Sequence, residues 1–302
     1  NVAIGNDVMK LYSPAGGNAG HDNVAIGRDT MKTATVGADN IAIGSHALGA
    51  HNSGSTSQVI AIGVYAAGTG ALAGHNNQFI GYCSGRYATG AFYNTAIGNS
   101  TLMGSSGTAY TGSSNVVIGH SAGSSLTTGG RNILLGYNAQ ASAVGSNDQI
   151  VLGKDVQGGG NSTFVFGSGS YDTKCDFNAT TWSNPSDIRL KEDIQDEVIG
   201  LDFINELRPV TFLWKKEKDI PQTLRAYKEG SEERAANGKY NHGFIAQEVK
   251  EVIDSHNLKE GFDLWSEDEN DGRQRIGPTA LIPMLVKALQ ELSAKVEALE
   301  NS

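Results

Sequence analysis

Apolar residues in this chain do not keep one period from end to end. Up to residue 155 they come in short β-branched bursts, each closed by a glycine and followed by a polar stretch. Nine copies of the unit are present: Asn1-Val-Ala-Ile-Gly5, Asn23-Val-Ala-Ile-Gly27, Asn40-Ile-Ala-Ile-Gly44, Val59-Ile-Ala-Ile-Gly63, Asn77-Gln-Phe-Ile-Gly81, Asn94-Thr-Ala-Ile-Gly98, Asn115-Val-Val-Ile-Gly119, Asn132-Ile-Leu-Leu-Gly136 and Gln149-Ile-Val-Leu-Gly153. The closing glycines stand 17 to 22 residues apart. Each burst offers a strand of roughly four to five Val- and Ile-rich residues. The glycine permits a turn or a close backbone approach, and the Ser/Thr/Gly/Asn stretch returns the chain. One coil this thin cannot bury its apolar face alone and must stack on the next, as solenoids do. A narrow roll with few aromatic residues gains most by packing on copies of itself about a three-fold axis. A propeller is the competing repeat architecture, but its blades need about 40 residues and four strands each.

Residues 156–186 read as a junction. Ser162 to Gly167 and Cys175 to Trp182 each predict a strand, and Asn184-Pro185 predicts a turn. The period then becomes helical. Val198 to Leu207 and Phe244 to Ile253 read as helices, and Lys215 to Lys239 as a charged surface loop or arm. Ile282, Leu285, Leu289, Leu292, Val296 and Leu299 follow the 3-4 spacing of a coiled-coil seam, predicting a helix over 278–300. At under three heptads that helix is too short to stand alone. It reads as one strand of a trimeric bundle, or as a helix packed on its own domain.

Charge divides the chain at the same place. Residues 1–186 carry 8 acidic and 7 basic side chains, and residues 187–302 carry 24 and 16. Of the 39 glycines, 32 lie in the first part. Regions this different do not share one core. The formal net charge of -9 argues against nucleic acid as a partner. No run of 18 apolar residues predicts membrane insertion, and no signal peptide is seen. Asn1 already lies inside a repeat, so the sequence reads as a piece of a longer chain. Cys83 and Cys175 form neither a disulfide framework nor a metal pattern. Glu267 to Asp271 lacks the spacing of a calcium loop and reads as a solvated turn. No cofactor and no metal are expected.

The Asn-x-Ala-Ile-Gly copies resemble the head repeats of trimeric autotransporter adhesins and similar segments of phage tail fibres. That resemblance implies a parallel β-roll that trimerises, over about half of the chain. The repeats here are longer and less regular than the shortest adhesin repeats, which leaves a roll, a wider β-helix and a prism all open.

At the compositional boundary stands Ser186-Asp187-Ile188-Arg189-Leu190-Lys191-Glu192-Asp193-Ile194. This string resembles the start of the intramolecular chaperone domains of phage tailspikes and fibres, the peptidase S74 family. Leu207-Arg-Pro-Val-Thr-Phe-Leu-Trp214 and His242-Gly-Phe-Ile-Ala-Gln-Glu-Val249 resemble two further segments of that family, in the same order. The resemblance implies a domain that trimerises, guides the upstream fibre into a trimer and cuts itself off. It places the cut at the Ser186–Asp187 bond, with Ser186 as nucleophile and Lys191 as base. Arg189, Leu190, Ile194, Gln247 and Glu248 are the supporting motif residues. A lysine takes a proton only when neutral, so its usual value near 10.4 must fall to about 7–8. Arg189 supplies positive charge in that direction, while Asp187, Glu192 and Asp193 oppose it. Desolvation in an assembled trimer is the expected trigger.

The expected architecture is therefore mainly β over 1–185, a trimeric β-roll or β-solenoid shaft. Its repeats fill 1–155, and junction strands and the cleavage site fill 156–186. An α+β chaperone domain follows over 187–302 and ends in a trimeric coiled coil. The expected protein is a homotrimeric phage tail fibre or tailspike in the virion tail, whose chaperone fragment is released after cleavage. The competing reading is a bacterial trimeric surface adhesin segment with a permanent trimerisation cap. In either case a host-surface glycan or receptor is a candidate partner, with Tyr65, Tyr82, His120 and Tyr137 placed to stack on sugars. A membrane-tethered transcription factor released by the same kind of domain would need a basic region, which the near-neutral shaft does not supply.

Overall fold

The computed structural model describes residues 1–11, 20–33, 37–50, 56–258 and 263–302. The chain forms two compact units, Asn1–Leu190 and Lys191–Ser302.

The first unit is a β-solenoid. Its strands are β1 (Val2–Ile4), β2 (Val24–Ile26), β3 (Ile41–Ile43), β4 (Ile60–Ile62), β5 (Gln78–Ile80), β6 (Thr95–Ile97), β7 (Val116–Ile118), β8 (Ile133–Leu135), β9 (Gln149–Lys154), β10 (Thr163–Ser168) and β11 (Tyr171–Asp176). They form one sheet in sequence order. Every neighbouring pair is parallel until β11, which turns back antiparallel on β10. Ile97 pairs in register with Ile80 on one side and Ile118 on the other, so the copies stack coil on coil. β9 spans six residues, but β1 to β8 are three residues long rather than four to five. Two features shorten them: the leading Asn turns inward, and the closing Gly leaves the strand.

Each closing glycine from Gly5 to Gly153 has φ between +129° and +135°. A side chain is excluded twice over there, by that angle and by the next coil. A Cβ on Gly98 would stand 2.5 Å from the Gly119 carbonyl oxygen.

The leading asparagines form a buried amide ladder. Asn40 donates both its backbone N–H (3.0 Å) and its Nδ2 (2.9 Å) to Asn23 Oδ1, and its Nδ2 also reaches the Thr56 carbonyl. The pattern recurs from Asn77 through Asn94 and Asn115 to Asn132, and Gln149 ends it. Each buried amide thereby serves its neighbour's backbone, which removes the cost of placing polar groups inside. Val59 interrupts the ladder. Tyr110 joins it from a turn, donating to Asn94 Oδ1 at 2.7 Å and accepting from Asn115 Nδ2 at 2.8 Å. Burial pushes the Tyr110 phenol well above its usual range.

The core is narrow. In each of β2 to β8 the middle residue points inward and is fully buried: Ala25, Ala42, Ala61, Phe79, Ala96, Val117 and Leu134. Six residues later the turn returns a second inward position, occupied by Met31, Leu48, Ala67, Gly85, Leu102 and Gly123 for the first six of these. The flanking strand residues face outward instead. Ile41, Val116, Ile118 and Ile133 are each exposed by 37–40%. The sheet is thus apolar on both faces, and a parallel sheet of that composition is ordinarily covered on both.

The second unit is smaller. It contains α1 (Leu201–Glu206), β12 (Val210–Phe212), β13 (Asn241–Gly243), α2 (Ala246–Ser255), β14 (Trp265–Glu267), β15 (Gln274–Ile276) and α3 (Ile282–Glu300), the last entered through a 3-10 turn at Pro278–Leu281. Phe203, Leu207, Val249, Ile253, Leu264 and Leu281 form its core. α1 is shorter than predicted, and Val198, expected on its apolar face, is 82% exposed. Within the predicted arm, Glu217 is nearly buried and accepts from Lys228 Nζ (2.8 Å) and Ser231 Oγ (2.7 Å). The arm is thus gathered around one carboxylate.

α3 has two faces. Met284 and Ala288 are buried, and Glu291 Oε2 accepts the Leu201 backbone N–H at 2.9 Å, capping α1 from outside. The coiled-coil seam lies on another face and is exposed, from 44% at Leu285 to 75% at Leu299. The helix packs on its own domain, through residues that the seam does not use.

Candidate cleavage site

The site begins where the solenoid ends. After β11 the chain loops through Phe177–Thr181 and comes back beside that strand. Ser183 and Lys174 exchange two backbone hydrogen bonds (2.8 and 2.9 Å), and Ser183 Oγ adds a third to the Lys174 carbonyl. Thr173 Oγ1 donates to Asn184 Oδ1 at 2.6 Å. Residues on either side of Ser183 point to one face, which places Trp182 over β10. Its indole meets Phe164 at 5.4 Å and Phe166 at 5.5 Å between ring centroids, edge to face in both cases. Cys175 to Trp182 was expected as one strand. The observed strand starts earlier, ends at Asp176 and reverses, so Trp182 belongs to the return segment.

Pro185 then links Asn184 to Ser186 with a fixed φ and holds Asn184 extended. Ser186 is exposed. Past the expected scissile bond, Asp187 starts a 3-10 turn at Ile188–Leu190. Its Oδ1 accepts the Arg189 backbone N–H at 2.9 Å, and its carboxylate takes the Arg189 guanidinium in a fork, with Nη2–Oδ2 at 2.5 Å. The fork and that N–H hold the Asp187 carboxyl below the usual carboxylate range. Asp187 thereby pairs directly with the positive charge of Arg189.

Lys191 opens the second unit and is exposed. The apolar motif residues are exposed too: Ile188 by 72%, Leu190 by 63% and Ile194 by 63%. Glu248 is fixed on α2 by a two-point pair with Arg208, one arm of which measures 3.0 Å from Nε to Oε2. That pair borders an open groove of about 420 Å³ whose apolar wall is Leu207, Val249 and Val252. Gln247 is exposed, with no side-chain hydrogen bond among the described residues.

Of the four aromatic residues considered for sugar stacking, three make ring contacts within the fold. The Tyr65 ring stacks on His46 at 4.6 Å, and the Arg86 guanidinium covers it at 4.5 Å. His120 stacks on Tyr137 at 5.2 Å, although Tyr137 remains half exposed. Sequence reasoning did not find the Trp182 anchor, whose only signal was an aromatic residue shortly before the Asn-Pro turn. It also named no ligand cluster. The exposed His21, Asp22 and Asp39 bring potential ligand atoms within 4.8 Å of one another, and His21 Nδ1 already lies 2.9 Å from Asp22.

No curated protein and no solved structure matches the chain. Residues 186–258, from the serine of the boundary motif to the loop after α2, match the peptidase S74 family model, described as the chaperone of endosialidase. The matched segment and the β-solenoid before it fit a phage tail fibre-like protein.

Proposed function

We propose that this chain is the shaft and intramolecular chaperone of a homotrimeric phage tail fibre or tailspike, and that the chaperone removes itself by cutting at Ser186–Asp187. The observation that carries the reading is the family match, which begins at Ser186, where the solenoid has just ended. Two apolar surfaces support the trimer. They are the outward Ile and Val columns of the sheet and the exposed seam of α3. Three thin solenoids must meet in register before any column is covered, and non-local assembly of that kind is slow and prone to aggregation. A trimerising domain raises the local concentration of the three shaft ends. Once the shaft is locked, its persistence depends on a high unfolding barrier rather than on the chaperone.

The chemistry assigned to the boundary is acyl transfer. The Ser186 hydroxyl is the nucleophile, and Lys191, made neutral by desolvation, takes its proton. Lys191 is exposed in the single chain, and so are Ile188, Leu190 and Ile194 around it. Assembly that covers these apolar residues also dries the lysine, which ties cutting to completion of the trimer. A denaturing gel of purified protein tests this. The expected products are residues 1–186 and 187–302, with one uncut band for Ser186→Ala, Lys191→Ala and Lys191→Arg, since arginine keeps its proton. Cutting of these variants at the wild-type rate would refute the dyad. A retained shaft also suits attachment to a surface glycan, for which Tyr82 and Tyr137, each 52% exposed, are open aromatic contacts. A glycan array on the purified trimer tests that role.

A further inference from the structure

We propose that the hydroxyl which opens the Ser186–Asp187 bond of one chain belongs to Ser186 of the partner subunit. The inference rests on the self-cleavage reading above and specifies which chain supplies the nucleophile.

It starts from covalent geometry. Within one serine, Oγ and the carbonyl carbon are separated only by Cβ and Cα. Attack by Ser186 on its own carbonyl would close a four-membered ring with internal angles near 90°, about 20° below tetrahedral, where angle strain rises quadratically. Attack on the preceding carbonyl, that of Pro185, would close an unstrained five-membered ring, but it opens Pro185–Ser186 and leaves Ser186–Asp187 intact. A cut after Ser186 therefore needs a hydroxyl from outside that residue.

The surroundings of the bond point the same way. The acyl half is fixed to the solenoid by the Trp182 contacts with Phe164 and Phe166, by the Ser183–Lys174 exchange and by the Thr173–Asn184 bond. Pro185 stiffens the one remaining link. A carbonyl held so closely does not travel to a distant nucleophile, so the nucleophile is brought to it. A parallel, in-register trimer sets equal residues of its chains at one level around the axis. Each Ser186 carbonyl then has Ser186 of the partner subunit as its neighbour. Approach of a second chain also covers Ile188 and Leu190, which stand exposed beside the bond.

The step balances. Neutral Lys191 takes the proton from the attacking Oγ, which bonds to the Ser186 carbonyl carbon of the chain being cut. The C–N bond to Asp187 breaks, and Lys191 passes the proton to the departing Asp187 nitrogen. An ester then joins the two chains through the serine oxygen. Water hydrolyses it, leaving a Ser186 carboxylate on one chain and a restored hydroxyl on the other.

Mixed trimers test the proposal. Wild-type and Ser186→Ala chains, carrying different tags at the N-terminus, are co-expressed, purified through both tags and analysed by mass spectrometry. The expected result is that Ser186→Ala chains stay whole in their own homotrimers but are cut just before Asp187 in mixed ones. In trimers with one variant chain, one wild-type chain should remain uncut, because its attacking neighbour has no hydroxyl. Cutting of wild-type chains alone within mixed trimers would overturn the proposal, and it would also show that the mixed trimers are folded. A C-terminal fragment that begins at Ser186 would overturn it as well. If wild-type homotrimers never cut, the cleavage reading itself fails, and this inference goes with it.

Discussion

The Phe79 ring occupies the space that a side chain on Gly85 would need. A Cβ on Gly85 would lie 2.3 Å from two of the ring carbons. The same pair of positions, one on the strand and one six residues later, holds Ala42 with Leu48 and Ala96 with Leu102. In these coils bulk is exchanged between the strand and the turn. Close packing requires this in a core one side chain thick.

That exchange is testable by a double-mutant cycle on unfolding of the protein. Phe79→Ala alone should cost about 3–5 kcal/mol, the usual loss for an emptied aromatic site. Gly85→Leu alone should be at least as damaging, through overpacking. The double variant Phe79→Ala/Gly85→Leu rebuilds the Ala96–Leu102 pairing and should recover much of either loss. The turn tolerates leucine there, since Leu48 and Leu102 take the same left-handed conformation at φ +48° and +44°. Additive losses would show that the two positions do not share one volume.

The gap in the amide ladder gives a stabilising change. Val59 donates its backbone N–H to Asn40 Oδ1 but has no side-chain acceptor to offer the next coil, and among the described residues the Asn77 backbone N–H has no acceptor. Val59→Asn supplies that acceptor and should raise the unfolding midpoint by the worth of about one buried hydrogen bond, near 1 kcal/mol. Asn94→Val should act in the opposite sense. It removes the acceptor of both Tyr110 and Asn115, and each group left unsatisfied costs about 1–3 kcal/mol. A lower midpoint for Val59→Asn would mean that the interruption is needed.

Much of the solenoid is legible in the residues alone. The Asn and Ile-Gly positions announce stacking because parallel, in-register coils demand the same residue at the same place each turn. The exchange between Phe79 and Gly85 is not legible, because it is visible only across two positions whose facing depends on the turn conformation. Nor are β12 to β15, since three-residue strands such as Val210–Phe212 are too short to show a period. At the site, Ser186 through Ile194 stand out by motif. The anchoring of Trp182 does not, because it depends on a chain reversal that no local propensity marks. The inner face of α3 is hidden for a related reason. Met284 and Ala288 make a weaker stripe than the leucines beside them.

The two faces of α3 should fail differently. Leu289→Asp with Leu292→Asp changes exposed positions, so the second unit should stay folded by circular dichroism while trimers disappear from light scattering and the shaft becomes insoluble. Met284→Asp places a charge in a buried site and should unfold the unit itself. Normal soluble trimer from the Leu289/Leu292 variant would show that the seam is dispensable.

Glu291 makes the contact between α3 and α1 dependent on pH. The Leu201 N–H holds its carboxyl below the ordinary range, with Lys287 and Lys295 adding to this. A depressed carboxylate contributes stability above the unfolded-state value, about 4.3 for glutamate, and loses it as pH falls through the folded value. Wild type should therefore exceed Glu291→Ala in stability most clearly at neutral pH, and the two curves should converge in acid. A constant difference across that range would assign the effect to packing instead.

The return segment at Ser183 has a consequence for what the proposed cleavage would leave behind. A solenoid whose last strand is bare offers its free edge to any other chain, and stacked sheets polymerise through such edges. Here the final strand runs against the grain of the others, and its outer side is already occupied at Lys174 by residues that precede the scissile bond. Release of everything after Ser186 thus exposes no fresh edge. Under the proposed cut the new chain end would stay inert towards its copies and would not seed filaments.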